Sequence, residues 1–315
     1  MKPTPNKILI VLAFIAIYVI WGSTYFLNKI AVSELPPFML ASIRFMSAGT
    51  LAFIIAKSIG LDIKVSKKQF KNTAIAGFLF LTVGNGFVVW ALKHVDSGFA
   101  ALEISAQPLV VLILLRILEG KKIKLMSFIG VLLGILGIYL LVSQQTLVAK
   151  ENSLSGILVI FLCMASWAYA SIFVSKASLP SNFFVNSAYQ MLIGGALLML
   201  LSLAVGEQWS FPTQWSGKVQ LAMGALIIFG SIVAFTSFNY LLRVVSPEKV
   251  ATSTYVNPII ALFLGWFFLD EYVSLQSVIA AAVLLTGVYF INTKKTIMIF
   301  SRFSHRIAKK YRENM

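Results

Sequence analysis

Arg44 and Glu103 are formal charges set well inside long apolar runs of this 315-residue chain. Burying a charge is costly unless it is paired and hydrogen-bonded. An ionisable group inside an apolar span is therefore read first as functional, with a partner to be named. Counted along their helices, Arg44 falls roughly 10 Å and Glu103 roughly 8 Å below the same surface. An ion pair between them is feasible, either as part of a binding site or as a brace between two helices. Glu103 is also a candidate proton-coupling carboxylate.

Two prolines stand where an apolar helix least tolerates them. "SAQPLVVLILL" (105–115) and "TYVNPIIALFLGW" (254–266) carry Gln107-Pro108 and Asn257-Pro258 in mid-run. Proline inside a helix removes a hydrogen bond and clashes one turn back, at a cost of about 3 kcal/mol or more. Each proline sits near the centre of its run and frees one carbonyl, that of Ile104 or Thr254. Irregular backbone at that depth survives only inside protein or beside a water-filled cavity. A simple kink is the plainer reading, since proline is common in membrane helices. The matched pair with flanking amides favours a cavity.

Around these breaks the side chains suit a small polar or zwitterionic ligand. Glu103 and Gln107 share a helix face, as do Ser253 and Asn257. Tyr18, Trp21, Tyr25 and Asn28 form one aromatic-polar stripe, and Trp167 stands in a similar setting in "CMASWAYASIF". Interfacial anchoring is the alternative for such aromatics. The candidate binding set is Trp21, Tyr25, Arg44, Asn85, Glu103, Gln107, Trp167, Gln190, Tyr255 and Asn257, with Pro108 and Pro258 as the helix breaks. Asn85, between two glycines in "TVGNGF", either softens its helix for gating or packs it. No P-loop, G-x-G-x-x-G, H-E-x-x-H or Cys/His cluster is present, so neither a metal nor a cofactor is expected. Cys163 stands alone and reads as a small core residue.

The elements that must hold these residues follow from composition. The chain is 59% hydrophobic and 12% charged, with a mean hydropathy of +0.88. A soluble domain averages about 25% charged, so most of this surface must face lipid. Ten apolar spans of about 20 residues fit at 8–30, 37–59, 72–93, 98–118, 125–143, 154–175, 183–205, 219–242, 249–269 and 273–292. The first is too long for a secretion signal, and no small-x-small cleavage site follows it. The net charge of +15 does not point to nucleic acid, because the basic residues fall mainly in alternate loops and the tail. Only Lys29, Lys93, Lys150 and Lys218 fall on the other side. That bias places both termini in the cytoplasm and implies contact with anionic lipid at the cytoplasmic face. The tail, 293–315, is expected to be a basic amphipathic helix, with a disordered tail as the alternative.

The spans repeat. Trp21 aligns with Trp167 and Arg44 with Gln190, at an offset of 146. Gln107-Pro108 aligns with Asn257-Pro258, and "GILGIYLL" with "LLTGVYFI", at an offset of 150. Two units are expected, 1–146 and 147–292. With five spans each, the second unit enters the membrane from the opposite side. Inverted repeats of this kind place a ligand site at the midplane where they meet. The fold expected is all-α integral membrane, ten transmembrane helices as two inverted five-helix repeats around a central cavity.

Over about 8–292 the sequence resembles the EamA-type members of the drug/metabolite transporter superfamily. The likeness rests on the tryptophan of each first helix, the arginine of the second, and the x-Pro pattern ending in an acidic residue. "NPIIALFLGWFFLDEYVS" carries that last pattern to Glu271. The first copy departs from it, with Glu119 two residues early and Lys121 in the aligned place. The resemblance implies a multi-pass protein of a bacterial inner membrane that exports metabolites, amino acids or drugs. The function expected is a secondary transporter of small metabolites, exporting by alternating access. A facilitative channel and a membrane-embedded enzyme on lipid-linked substrates are the alternatives, the enzyme depending on Arg44 and Glu103 as its acid–base pair.

Overall fold

The computed structural model describes residues 7–120, 125–143, 153–245 and 247–292, which form helices joined by short turns and loops, with no strand among them. We name the elements α1 (Lys7–Val32), α2 (Pro37–Ser58), α3 (Lys67–Ala91), α4 (Ser97–Glu119), α5 (Leu125–Val142), α6 (Ser153–Lys176), α7 (Phe183–Ala204), α8 (Gly217–Val244) and α10 (Leu275–Asn292). Between the last two, α9 starts as Pro247–Val250, tightens to a 3₁₀ turn over Ala251–Tyr255 and resumes as Asn257–Leu269. Seven of these segments are long and apolar enough to cross a membrane, and three shorter apolar helices fall in α5, α9 and α10. The chain is thus a multi-pass membrane protein. The expected tail helix lies outside the described residues.

The helix ends follow local chemistry. Pro37 opens α2, where a missing N–H costs nothing. Ser66 and Gln69 exchange side-chain and backbone bonds as a capping box on α3. Asn182 and Ser216 cap α7 and α8. Gly120 and Asp270 end α4 and α9 with left-handed backbones at φ 65° and 52°. Glycine adopts that region freely and aspartate is among the few other residues that visit it.

Packing is reciprocal between the two halves of the sequence. The α2–α7 and α5–α10 pairs make the most extensive contacts, while α1 lies on α9 and α6 on α4. In the α2–α7 seam a Cβ at Gly49 would lie 2.8 Å from Leu192 Cγ, and one at Gly195 would lie 2.8 Å from Met46. Gly49 and Gly195, like Met46 and Leu192, are 146 residues apart. Each contact is therefore made twice with the roles exchanged, as across a two-fold axis. Small residues let the backbones approach where lipid supplies no hydrophobic drive.

Carboxylates fasten three helix starts. Glu34 accepts from Ser216 at the cap of α8. Glu207 accepts from the backbone N–H groups of Phe38 and Met39 in α2. Glu271 accepts from Ser97 N, Ser97 Oγ and Gly98 N at the start of α4. Unpaired N–H groups and the helix dipole make these ends suited to anions. Glu119, which the sequence places two residues short of the position aligned with Glu271, pairs with Lys176 at 2.6 Å.

Candidate functional site

Both proline positions break their helices. α4 stops at Ile104 and restarts at Gln107, and α9 restarts at Asn257, so each proline is the second residue of a new helix. Short-range bonds bridge the first gap, with Ala106 N donating to Glu103 O at 3.1 Å and Leu109 N to Ala106 O at 2.9 Å. At each break the amide preceding proline reaches into the other half of the chain. Gln107 Nε2 donates to Met164 O on α6 at 3.0 Å. Asn257, with its nitrogen on the side that offers only acceptors, donates to Ser253 O at 3.1 Å and Tyr18 O on α1 at 2.9 Å. The two donors are 150 residues apart and their inter-helix acceptors 146.

Beside these amides Trp21 and Trp167 meet edge to face, with ring centroids 5.6 Å apart. Phe238 sits 5.0 Å from the first ring and 5.3 Å from the second. Such geometry matches the ring quadrupoles. Trp21 Nε1 also donates to Gly230 O at 3.3 Å. Gly230 belongs to a π-helical stretch of α8, Leu226–Val233, and α3 has its own over Phe78–Gly86. Slipped turns of this kind recur at functional sites, and here they bring Asn85 and Gly230 against the Arg44 guanidinium.

The broken helices and the aromatic wall enclose a cavity of about 860 Å³, counting its open mouth. Of the residues expected to form a site, Trp21, Tyr25, Asn85, Gln107, Trp167 and Asn257 line it together. Thr24, Asn28, Cys163, Met164, Ser171, Phe238, Ser253 and Thr254 join them. Asn28 belongs to the α1 stripe read from the sequence, and Thr24 adjoins that stripe at helical spacing. Met164 and Ser171 flank Trp167 at three and four residues, so both groups were open to a face-by-face reading. Phe238 carried no distinguishing signal among the apolar residues of its span. Cys163 is buried and donates to Val83 O at 3.3 Å, yet also borders the cavity.

Arg44, Glu103 and Gln190 stand outside the wall. Arg44 is buried and donates through Nε to Ser231 Oγ at 2.8 Å, and through Nη1 to Asn28 Oδ1 at 3.4 Å and Asn85 Oδ1 at 3.5 Å. Both carboxylate oxygens of Glu103 are buried and accept no hydrogen bond among the described residues. The ion pair that their depths allowed is therefore not formed. α2 packs on α7, α3 and the middle of α8, whereas α4 packs on α1, α6 and α9. Arg44 and Glu103, the acid–base candidates of the enzyme alternative, thus sit among different helices. Gln190 accepts from Asn239 within a sealed polar chain. The Tyr255 side chain lies outside the described residues.

The profile of the EamA-like transporter family matches this chain twice, over residues 8–143 and 154–293. An uncharacterized inner membrane transporter of Escherichia coli, YedA, is 36% identical over 295 residues, covering 90% of this chain and 93% of that one. The Bacillus subtilis transporter YoaV is 21% identical, covering 90% and 96%. A WAT1-related chloroplastic protein of Arabidopsis thaliana is 27% identical, covering 86% and 66%. One solved crystal structure superposes with a TM-score of 0.67 at 19% identity, over 91% of this chain and 97% of its own.

Proposed function

This chain belongs to the EamA-like transporter family, and from that premise we propose that it is a secondary transporter which moves small polar or amphipathic metabolites, amino acids among them, out of the cell by alternating access. The observation that carries this reading is the pair of crossed amides at the cavity, Gln107 to Met164 and Asn257 to Tyr18. Irregular backbone at that depth is tolerated where it lines a cavity, and paired breaks at matched places are the mark of a transporter site.

In this reading residues 1–146 and 147–292 are two five-helix repeats of opposite orientation, supported by the reciprocal glycine contacts of α2 and α7. Both termini lie on the cytoplasmic side of a bacterial inner membrane, where the basic loops and tail meet anionic lipid. The loops holding Glu34, Glu207 and Glu271 then face outward, and their helix-capping bonds fasten that side. The cavity reaches Pro247, Val250 and Ala251 at the α8–α9 connection, on the cytoplasmic side. The conformation is thus inward-facing. Outward opening requires the carboxylate caps to part.

Proteoliposomes loaded with a labelled metabolite panel test this. The expected result is saturable flux that falls on the order of tenfold in Asn257→Ala or Gln107→Ala, from loss of one cavity amide and of the helix bond it makes. Flux no greater than that of empty vesicles across the panel overturns it, and flux that never saturates assigns a channel instead. Repeating the assay with a pH gradient on wild type and Glu103→Gln decides whether protons are carried.

A further inference from the structure

The cavity wall is electrically sorted, and Arg44 does the sorting from behind it. Arg44 is 2% exposed. Its contacts are Ser231, Asn28, Asn85 and the face of Phe45, with no carboxylate among them. Gly230 makes the room, since a Cβ there would lie 3.0 Å from Arg44 Nη2. A guanidinium only donates. Each asparagine facing it must therefore turn Oδ1 towards Arg44 and Nδ2 away. At 3.4 and 3.5 Å the contacts are long, so their effect is to orient the amides more than to bind them. Both asparagines border the cavity, and neither Nδ2 finds a protein acceptor among the described residues. The result is a pair of N–H₂ donors backed by an uncompensated positive charge in a low-dielectric surround.

Gln107 and Asn257 are oriented the opposite way. Their nitrogens are turned to the backbone carbonyls of Met164, Ser253 and Tyr18, which leaves Oε1 and Oδ1 as the amide atoms those bonds do not use, on two residues that border the cavity. One part of the wall thus offers donors and the other offers acceptors.

We propose that Asn28 and Asn85, oriented by Arg44, form the carboxylate subsite of this cavity, that Gln107 and Asn257 form the ammonium subsite, and that the ligand is a small zwitterion held in one polarity. The proposal rests on the transport reading above and deepens it. Arg44 acts here as a positioning residue, because it reaches the ligand only through the two asparagines.

The test uses four compounds on one apolar skeleton: L-leucine, L-leucinamide, N-acetyl-L-leucine and isoamylamine. Binding to the full chain in detergent is read from quenching of Trp21 and Trp167, and flux from counterflow in proteoliposomes. Losing one charge-assisted hydrogen bond lowers affinity on the order of tenfold or more. Wild type should therefore prefer L-leucine to both L-leucinamide and N-acetyl-L-leucine by at least that factor. Arg44→Gln should erase the discrimination against L-leucinamide while keeping that against N-acetyl-L-leucine. Asn85→Asp places a carboxylate against the guanidinium and removes a donor, so it should invert the first preference and favour L-leucinamide. A merely structural role for Arg44 would lower all four affinities together. Wild-type discrimination in Asn85→Asp, or no preference for L-leucine in wild type, overturns the proposal. Selective binding without flux of any solute sustains the subsites and overturns the transport reading. Flux of other solutes with no binding of the four compounds does the reverse.

Discussion

Arg44 and Gln190 each lie seven residues into a 22-residue helix, α2 and α7 respectively, yet the two positions serve different surroundings. Gln190 closes a neutral chain: its Oε1 accepts from Asn239 at 3.0 Å, Asn239 accepts from Asn186 at 3.2 Å, and Asn186 accepts from Thr73 at 3.3 Å. That chain is buried and does not touch the cavity. Arg44 instead gathers a hydroxyl and two amides from α8, α1 and α3, and two of those three partners border the cavity. A neutral cluster holds helices together through its own dipoles, and it does so here although Gln190 Nε2 is buried without a partner among the described residues. A charged one must recruit oxygens, and its field reaches beyond them. The duplicated position is thus spent on packing in one half and on the cavity in the other.

The strongest way to break this contrast is to make the two positions alike. Gln190→Arg puts a guanidinium among Asn239, Asn186 and Thr73, where no carboxylate lies among the described partners. An uncompensated buried charge costs about 3–5 kcal/mol. The expected outcome is loss of a monodisperse peak in size exclusion and of cooperative thermal unfolding in detergent. A variant that unfolds at the wild-type temperature would mean that both positions tolerate charge, and the distinction would fall.

A second contrast separates the acidic residues at the ends of α4 and α9. Glu271 accepts three hydrogen bonds from the start of α4, at 2.8 to 3.1 Å. Glu119 pairs with Lys176 at the membrane edge, where the lysine side chain is 64% exposed and the glutamate side chain 17%. Bonds to a charged acceptor contribute about 1.5–3 kcal/mol, so Glu271→Gln should lower stability by about 2 kcal/mol in chemical unfolding. An ion pair with one exposed partner is screened by solvent and contributes roughly 0–1 kcal/mol, so Glu119→Gln should change stability by less than Glu271→Gln does. Equal losses would show that the α4 cap is no stronger than a surface pair.

How much of this was legible in the sequence depends on how many physical meanings each residue type has. Proline has few, and Pro108 and Pro258 located both helix breaks. Tryptophan is scarce, and the aligned pair Trp21 and Trp167 does meet. The long spans were readable from hydropathy. A span broken by proline reads differently in three dimensions, since the second part of α9 is a helix of only 13 residues. The supposed meeting of Arg44 and Glu103 shows where counting fails. Residue number fixes depth along a helix, but rotation about its axis depends on which neighbours it packs against. Arg44 turned towards α1, α3 and α8, and its partners Asn28, Asn85 and Ser231 come from three separate stretches. The π-helical slips of α3 and α8 left no signature beyond the glycines inside them.

The finest distinction lies within the matched tryptophans. Both rings contribute to one edge-to-face cluster with Phe238, so replacing either by phenylalanine keeps most of the ring contact. Their indole nitrogens differ. Trp21 Nε1 donates to Gly230 O in the slipped segment of α8, and Trp167 makes no such bond among the described residues. Trp21→Phe leaves that carbonyl without its side-chain donor, in the stretch that also makes room for Arg44. A net hydrogen bond contributes about 1 kcal/mol, so Trp21→Phe should cost about that much more than Trp167→Phe. In a chain of this size that is roughly 2 °C in Tm, measurable when the two variants are melted side by side. Equal melting temperatures would assign Trp21 the same purely aromatic role as its partner. A larger gap would mean that the Gly230 carbonyl also helps to hold Arg44 in place, which loss of the Asn85-dependent ligand preference in Trp21→Phe would then reveal.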